Sequence, residues 1–296
     1  MNLNLPGRLS HPNMEIKDDL RADPRMLGAL KMIELDGAPA QIPVGPDSPL
    51  DEILAFCIES EAGFNELGAA LTGQTPPVEN VTSYTEVIKG VDGNDINLYI
   101  HKPTDTEGPI PAVIHTHGGG MVILQASNVG YQRWRDELAS TGLLVIGVEF
   151  RNGAGVLGPH PFPAGLNDCV SGLKWVHANS KDLNIDKDNI IIAGESGGGN
   201  LTIATSLKLK QDGNIGLIKG LYALCPYIAG HWPLPENPSS EENEGILLTL
   251  HSEHEYSHGA IIYGVEAYKN KDPLAWPSFA TADDVKGLPK TYIIVN

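Results

Sequence analysis

Residues 189–200 read Asn189-Ile190-Ile191-Ile192-Ala193-Gly194-Glu195-Ser196-Gly197-Gly198-Gly199-Asn200. A strand-like apolar run ends on glycine, a serine follows two residues later, and a helical pattern runs from Leu201 to Gln211. Strand, tight turn and helix in that order are the setting of a G-x-S-x-G nucleophile elbow. A serine at the tip of such a turn sits in a strained backbone conformation, so its neighbours must be small. Gly194 and Gly198 keep strand and helix from colliding with it. The opening helix lends partial positive charge to an oxyanion formed there. Gly197, next after the serine, can donate its N–H to that oxyanion. A phosphate loop would carry Lys followed by Ser or Thr, and this turn has neither. Ser196 is the candidate nucleophile.

Upstream, His115-Thr116-His117-Gly118-Gly119-Gly120-Met121 directly follows the apolar run Ala112 to Ile114. Consecutive glycines let a backbone approach a ligand closely with its amides turned inward. The segment matches the HGGG-type loop that completes the oxyanion hole in lipases and esterases, where each donor stabilises the transition state by about 3–4 kcal/mol. His117 is expected to brace this loop by hydrogen bonding rather than to act as a base. His115 and His117 share a face on an extended chain, but no third ligand is evident, so no metal site is expected.

Working outward, the pattern predicts a mixed, mostly parallel sheet. Tyr84 to Lys89 and Ile96 to His101 flank an Asp92-Gly93 step, a hairpin signal. Short apolar runs at 112–114, 143–148, 190–193, 217–224 and 292–295 suit strands buried on both faces. Helical patterns lie between them at 132–140, 165–178 and 201–211. That alternation means right-handed crossovers and a doubly wound α/β fold opened by an antiparallel hairpin. Residues 1–80, rich in proline and in amphipathic pattern at Asp51 to Leu67, read as an N-terminal helical arm; 81–296 read as the core. An insertion over about 228–275 interrupts the strand rhythm and includes a helix near Glu253 to Lys269; such insertions tend to be lids or binding elements.

With 37 acidic against 20 basic side chains, the net charge of −17 argues against a nucleic-acid or anionic-membrane partner. Cys57, Cys169 and Cys225 are odd in number and widely spaced, so they read as small apolar residues rather than disulfides or a zinc site. No signal peptide or membrane-length apolar run is seen, and a cytoplasmic protein is expected.

Taken together, the chain resembles the bacterial hormone-sensitive-lipase family of esterases. The resemblance rests on His117-Gly118-Gly119-Gly120, on His160-Pro161-Phe162-Pro163-Ala164, on the elbow in the form GESGGGN, and on Asp272 to Pro277; it runs from about Tyr84 to the C-terminus. It implies an α/β-hydrolase fold and a carboxylic-ester hydrolase. Ser196 would form an acyl-enzyme and the amides of Gly119, Gly120 and Gly197 would bind the oxyanion. The arm and the insertion would cap the acyl pocket. The implied substrates are small-molecule esters, short-chain acyl esters or lactones, with no cofactor and no metal; a homodimer is compatible with the sequence. Arg151 and Asp168 match structural positions. The family's acid and histidine fall after a strand like Pro289 to Val295, so they are expected beyond Asn296 and the C-terminal part of the fold is expected to be absent from this chain. Downstream of Ser196, His231, His251, His254 and His258 lie in the insertion and are expected on a solvated or packed face. The competing reading is a catalytically inert hydrolase-fold protein that binds a small molecule; an intact elbow and glycine loop speak against it.

Overall fold

The computed structural model describes residues 15–20, 22–32, 36, 43–45, 47–73, 75–230 and 258–295. They belong to two units, Met1–Ile53 with Gly230–Ile261 and Leu54–Ala229 with Ile262–Asn296. The first carries helix α1 (Pro24–Met32), which is not among the helices expected from the sequence. Helix α2 (Leu50–Thr72) extends the amphipathic stretch expected at Asp51 to Leu67. Most of the insertion, including His231, His251 and His254, lies outside the described residues; helix α6 (His258–Lys269) is its described end.

The second unit is built on a seven-stranded sheet in the order β1-β2-β4-β3-β5-β6-β7. The strands are β1 (Val81–Lys89), β2 (Asp95–Pro103), β3 (Ile110–Thr116), β4 (Leu144–Val148), β5 (Ile185–Glu195), β6 (Gly220–Leu224) and β7 (Lys290–Ile294). Strand β2 is antiparallel to both β1 and β4, and the remaining pairs are parallel. The opening hairpin and the mostly parallel sheet are as the sequence indicates. The run at 217–224 yields a shorter strand than expected, because Leu217 belongs to a 3₁₀ turn and β6 starts at Gly220.

Register shows why the sheet is covered on both sides. Ile100, Ile146, Ile114, Ile192 and Leu221 are cross-strand neighbours on five successive strands, and all are buried. They share a face with Leu98 and Val148, against which Gly172 of helix α4 (Ala164–Ala178) packs so closely that an added methyl would meet both at 3.3 Å. Ile203 and Leu207 of helix α5 (Gly197–Gln211) cluster with Ala223 on that same face. The alternate residues Val145, Val113 and Ala193 point the other way and pack with Ala139 of helix α3 (Val129–Ala139). Burying each branched aliphatic side chain contributes about 1.5–3 kcal/mol. Helices on both faces make the sheet doubly wound.

Arg151, just after β4, ties this frame together. Its guanidinium grips buried Asp168 of α4 through Nε and Nη2, both at 2.9 Å, and reaches Asp92 in the hairpin turn at 2.6 Å. Two cysteines, Cys57 and Cys169, are buried as expected, but Cys225 is exposed. It sits at the end of β6 with φ +36°, where the chain turns out of the sheet, so the expectation of an interior role fails there.

Candidate active site

Strand β5 ends at Glu195 and helix α5 starts at Gly197, which leaves Ser196 alone at the bend with φ 53° and ψ −117°. That left-handed conformation is strained for an L-residue. Main-chain bonds hold it: the Ser196 N–H donates to Leu224 O at 2.9 Å, and its carbonyl accepts from Tyr227 N at 2.9 Å and Asn200 N at 3.0 Å. Serine at a helix N-cap usually uses its hydroxyl on the helix amides, yet this one makes no capping bond. Among the described residues the hydroxyl has no hydrogen-bond partner and the side chain is half-buried.

The glycines around it are there because nothing larger fits. A methyl on Gly198 would lie 1.8 Å from Thr116 O, and one on Gly194 would lie 2.4 Å from the same oxygen. The elbow is therefore pressed against the end of β3, where the glycine loop begins. Thr116 fastens the seam, its hydroxyl donating to Gly198 O at 2.8 Å. A methyl on Gly197 would lie 2.6 Å from the amide nitrogens of both Gly120 and Met121. The loop and the elbow thus meet where Gly197 packs on the amides of residues 120 and 121. Gly119 has φ +107°, and a methyl there would strike Ile123 O at 2.1 Å. Among the described residues no acceptor takes the N–H groups of Gly119, Gly120 or Gly197.

His117 is fully buried, stacked on Phe150 with ring centroids 4.2 Å apart. A carbonyl can only accept, so the 2.7 Å contact to Gly118 O makes Nδ1 the protonated nitrogen. Burial pushes its pKa down to about 3, against the weaker opposing pull of the Gly118 carbonyl and Glu195. The ring is neutral across the physiological range. His115 is committed elsewhere. Its Nε2 lies 3.1 Å from Glu195 Oε2, and its Nδ1 is 3.5 Å from Nη1 of buried Arg135. Arginine only donates, so Nδ1 accepts and Nε2 donates to the carboxylate.

Glu195 is the residue that sequence reasoning missed. It occupies the variable position between glycine and serine in the elbow, and its Oε1 accepts the Gly118 amide at 2.7 Å. Burial pushes its carboxyl up, but the attraction and hydrogen bond of His115 with the Gly118 amide outweigh this and hold it below its usual range. One side chain therefore joins the Ser196 turn to the start of the glycine loop. A charged residue at that position, too near the serine to be ordinary solvated surface, was the available signal. Arg135 was missed as well: it donates to Ala126 O at 2.6 Å at the far end of the loop, and Gly147 is the residue that leaves it room. Asn200 of α5 links Tyr227 O at 2.9 Å to Ala275 O at 3.0 Å behind the elbow. The Asp284 carboxylate caps the short helix α7 (Ala282–Val285) through Thr281, so it is committed locally.

A sharp strand–serine–helix bend on a parallel sheet, faced by a glycine loop from the neighbouring strand, is the architecture of one fold family. A profile of the alpha/beta hydrolase fold matches residues 113–296. Over 98% of its length the chain superposes on brefeldin A esterase, a bacterial homologue of human hormone sensitive lipase, with 36% identity, 81% of that chain covered and a TM-score of 0.87. This chain belongs to the hormone-sensitive-lipase branch of the α/β-hydrolase family. It is also similar to esterase Est22, at 43% identity over 96% of this chain and 82% of that one, TM-score 0.83. Tuliposide A-converting enzyme b1 of Tulipa gesneriana is 31% identical over 180 residues, 57% of this chain. The α/β-hydrolase chain spans about half the length (46%) of that enzyme. No helix among its described residues is long and apolar enough to cross a membrane.

Proposed function

We propose that this α/β hydrolase is a serine carboxylesterase that works through an acyl-enzyme on Ser196. The observation that carries the reading is a serine hydroxyl that caps nothing, next to Gly197 packed on the Gly120 and Met121 amides, with no acceptor among the described residues for the N–H groups of Gly119, Gly120 or Gly197. Ser196 Oγ attacks the ester carbonyl carbon and its proton passes to a base. The carbonyl oxygen becomes an oxyanion and receives the three N–H groups, each worth about 3–4 kcal/mol where charge develops. Collapse of the tetrahedral species breaks the bond to the alkoxide, which leaves with the proton from the base, and water then hydrolyses the acyl-serine by the reverse sequence.

His117 braces the loop as a neutral ring on Phe150, donating to Gly118 O. Neither neighbouring histidine suits the role of base, because His117 is buried with a pKa of about 3 and His115 is held between Glu195 and Arg135. In this fold the acid and the histidine follow the serine in chain order, after the strand equivalent to β7. Similarity to esterases supports small-molecule esters as the substrates, which we take to be short-chain acyl esters or lactones; the chemistry itself calls for no metal or cofactor.

The test is covalent labelling with a fluorophosphonate alongside hydrolysis of a short-chain p-nitrophenyl ester. The expected result is one adduct, mapped to Ser196, and a fall in kcat on the order of 10⁶ in Ser196→Ala. An unlabelled protein that nonetheless binds small esters would overturn the esterase in favour of a hydrolase-fold binder.

A further inference from the structure

We infer that Glu61, on helix α2 and remote from the elbow in sequence, is a positioning residue for the oxyanion loop. The inference rests on the proposed esterase function, in which the amides of Gly119 and Gly120 act on the substrate. Glu61 is 1% exposed. Its Oε1 accepts the Leu124 amide at 2.7 Å and the Gln125 side-chain amide at 3.2 Å, while Oε2 accepts the Val156 amide at 2.7 Å. All of these donors are neutral, and no ion pair to Glu61 exists among the described residues. Burying a carboxylate without a cation is unfavourable unless its lone pairs are taken up by strong donors. A tie that merely fastened a helix to the core would be served better by an apolar side chain.

The place where those donors converge supplies the reason for a carboxylate. Val122 N and Ile123 N both donate to Gly119 O at 3.0 Å, which makes residues 119–123 one tight turn. Leu124 comes next, with φ +77°, and Met121 inside the turn has φ +62°. Neither residue type adopts that conformation without support. A second segment lies alongside, with Gly153 N donating to Met121 O and Ala154 N to Val122 O, both at 2.9 Å. Glu61 closes this pair of segments by holding Leu124 with one oxygen and Val156 with the other. Gly155, at φ +65°, makes the approach available: a methyl there would lie 2.5 Å from Glu61 Oε2. The turn that aims the amides of Gly119 and Gly120 is therefore locked from outside by a side chain of the arm helix.

The experiment compares the full-length protein with Glu61→Gln, Glu61→Asp and Gly155→Ala. It measures kcat and KM on a short-chain p-nitrophenyl ester and inhibition by phenylboronic acid, whose tetrahedral serine adduct places an oxygen in the hole. Glutamine offers one acceptor where two amides need one each, so Glu61→Gln is expected to lower kcat on the order of 10- to 100-fold, short of the loss of a whole donor. KM is expected to stay within about threefold and boronate affinity to fall by the same factor as kcat. Glu61→Asp keeps both acceptors on a shorter stem and recovers part of the loss. Gly155→Ala displaces the carboxylate without removing it, so it carries the test should the Glu61 variants not fold; it is expected to repeat the pattern. Folded variants that melt lower yet keep wild-type kcat and boronate affinity would overturn the inference and leave the esterase standing. A wild-type protein that binds no boronate, with activity insensitive to Ser196→Ala, would refute the esterase reading and this inference with it.

Discussion

Replacing Glu195 by glutamine keeps the side chain's shape and removes its charge, and the surrounding hydrogen bonds dictate the consequence. In the native site one oxygen accepts the Gly118 amide at 2.7 Å and the other accepts from His115 at 3.1 Å. A glutamine has one acceptor for these two donors. If its oxygen serves Gly118, its NH₂ faces His115, which must move its proton to Nδ1 and so confront the Arg135 guanidinium, 3.5 Å away. If its oxygen serves His115, two N–H groups face each other at Gly118. Either way one buried polar group goes unsatisfied, at about 1–3 kcal/mol. The first arrangement leaves the glycine loop in place, so Glu195→Gln is expected to lose that much stability and less than about tenfold in kcat. Glu195→Ala frees the Gly118 amide and with it the start of the loop; its kcat is expected to fall on the order of 10²–10³, as for loss of an oxyanion donor. Urea unfolding reports the stability change, and steady-state kinetics on a short acyl ester report the rate. A folded Glu195→Ala protein with kcat within about threefold of wild type would refute the coupling of elbow to loop.

Two further substitutions probe the same centre. Gly197→Ala places a methyl 2.6 Å from the amide nitrogens of Gly120 and Met121, which crowds the place that the proposed mechanism gives to the oxyanion; kcat is expected to drop on the order of 10²-fold or more with KM little changed, checked by kinetics on protein with a native circular-dichroism spectrum. His117 gives an acid limb to stability. Its pKa is about 3 in the fold against 6.5 for the free side chain, so the unfolded chain takes up a proton first. The contribution is whole above pH 6.5 and declines by about 1.4 kcal/mol per pH unit toward pH 3. The groups that bear on this ring are Glu195, which favours its charge, and His115 and Arg135, which oppose it. Between pH 6.5 and 5 the wild type is expected to lose about 2 kcal/mol more than His117→Gln in denaturant unfolding; parallel curves would refute the buried neutral ring.

The elbow and the glycine loop were legible because small residues at fixed offsets report a backbone requirement directly, and the strands because short apolar runs alternate along the chain with stretches of helical pattern. The start of α5 was not. Glycine is a poor helix former, so the pattern placed the helix at Leu201, whereas it begins at Gly197 because only glycine clears Thr116 and the loop amides. Glu195 left a signal beside the serine, but Glu61 and Arg135 were hidden for a different reason. In sequence a charged residue on an amphipathic helix reads as solvated, and what buries Glu61 lies 63 and 95 residues away. No local pattern encodes a carboxylate whose partners are main-chain amides of distant turns.

The distribution of backbone strain supports treating these residues as one device. Among the described non-glycine residues with positive φ, Asn80 and Asn184 are of a type that tolerates it. Met121, Leu124, Ser196, Cys225 and Lys271 do not, and all of these but Lys271, which follows helix α6, cluster: two in the loop after the glycines, one at the elbow, one just past the Leu224 carbonyl that holds the elbow's amide. Each such residue costs of order 1–3 kcal/mol and persists only where its surroundings over-determine it. Here those surroundings are Glu61 on Leu124, Glu195 on Gly118, Arg135 on Ala126 and Thr116 on Gly198. Donors aimed at a charge that exists only in a transition state cannot be held by that charge beforehand. In the proposed esterase they have to be held by the fold, and setting Glu61, Glu195 and Arg135 around those amides gives up stability to keep them aimed.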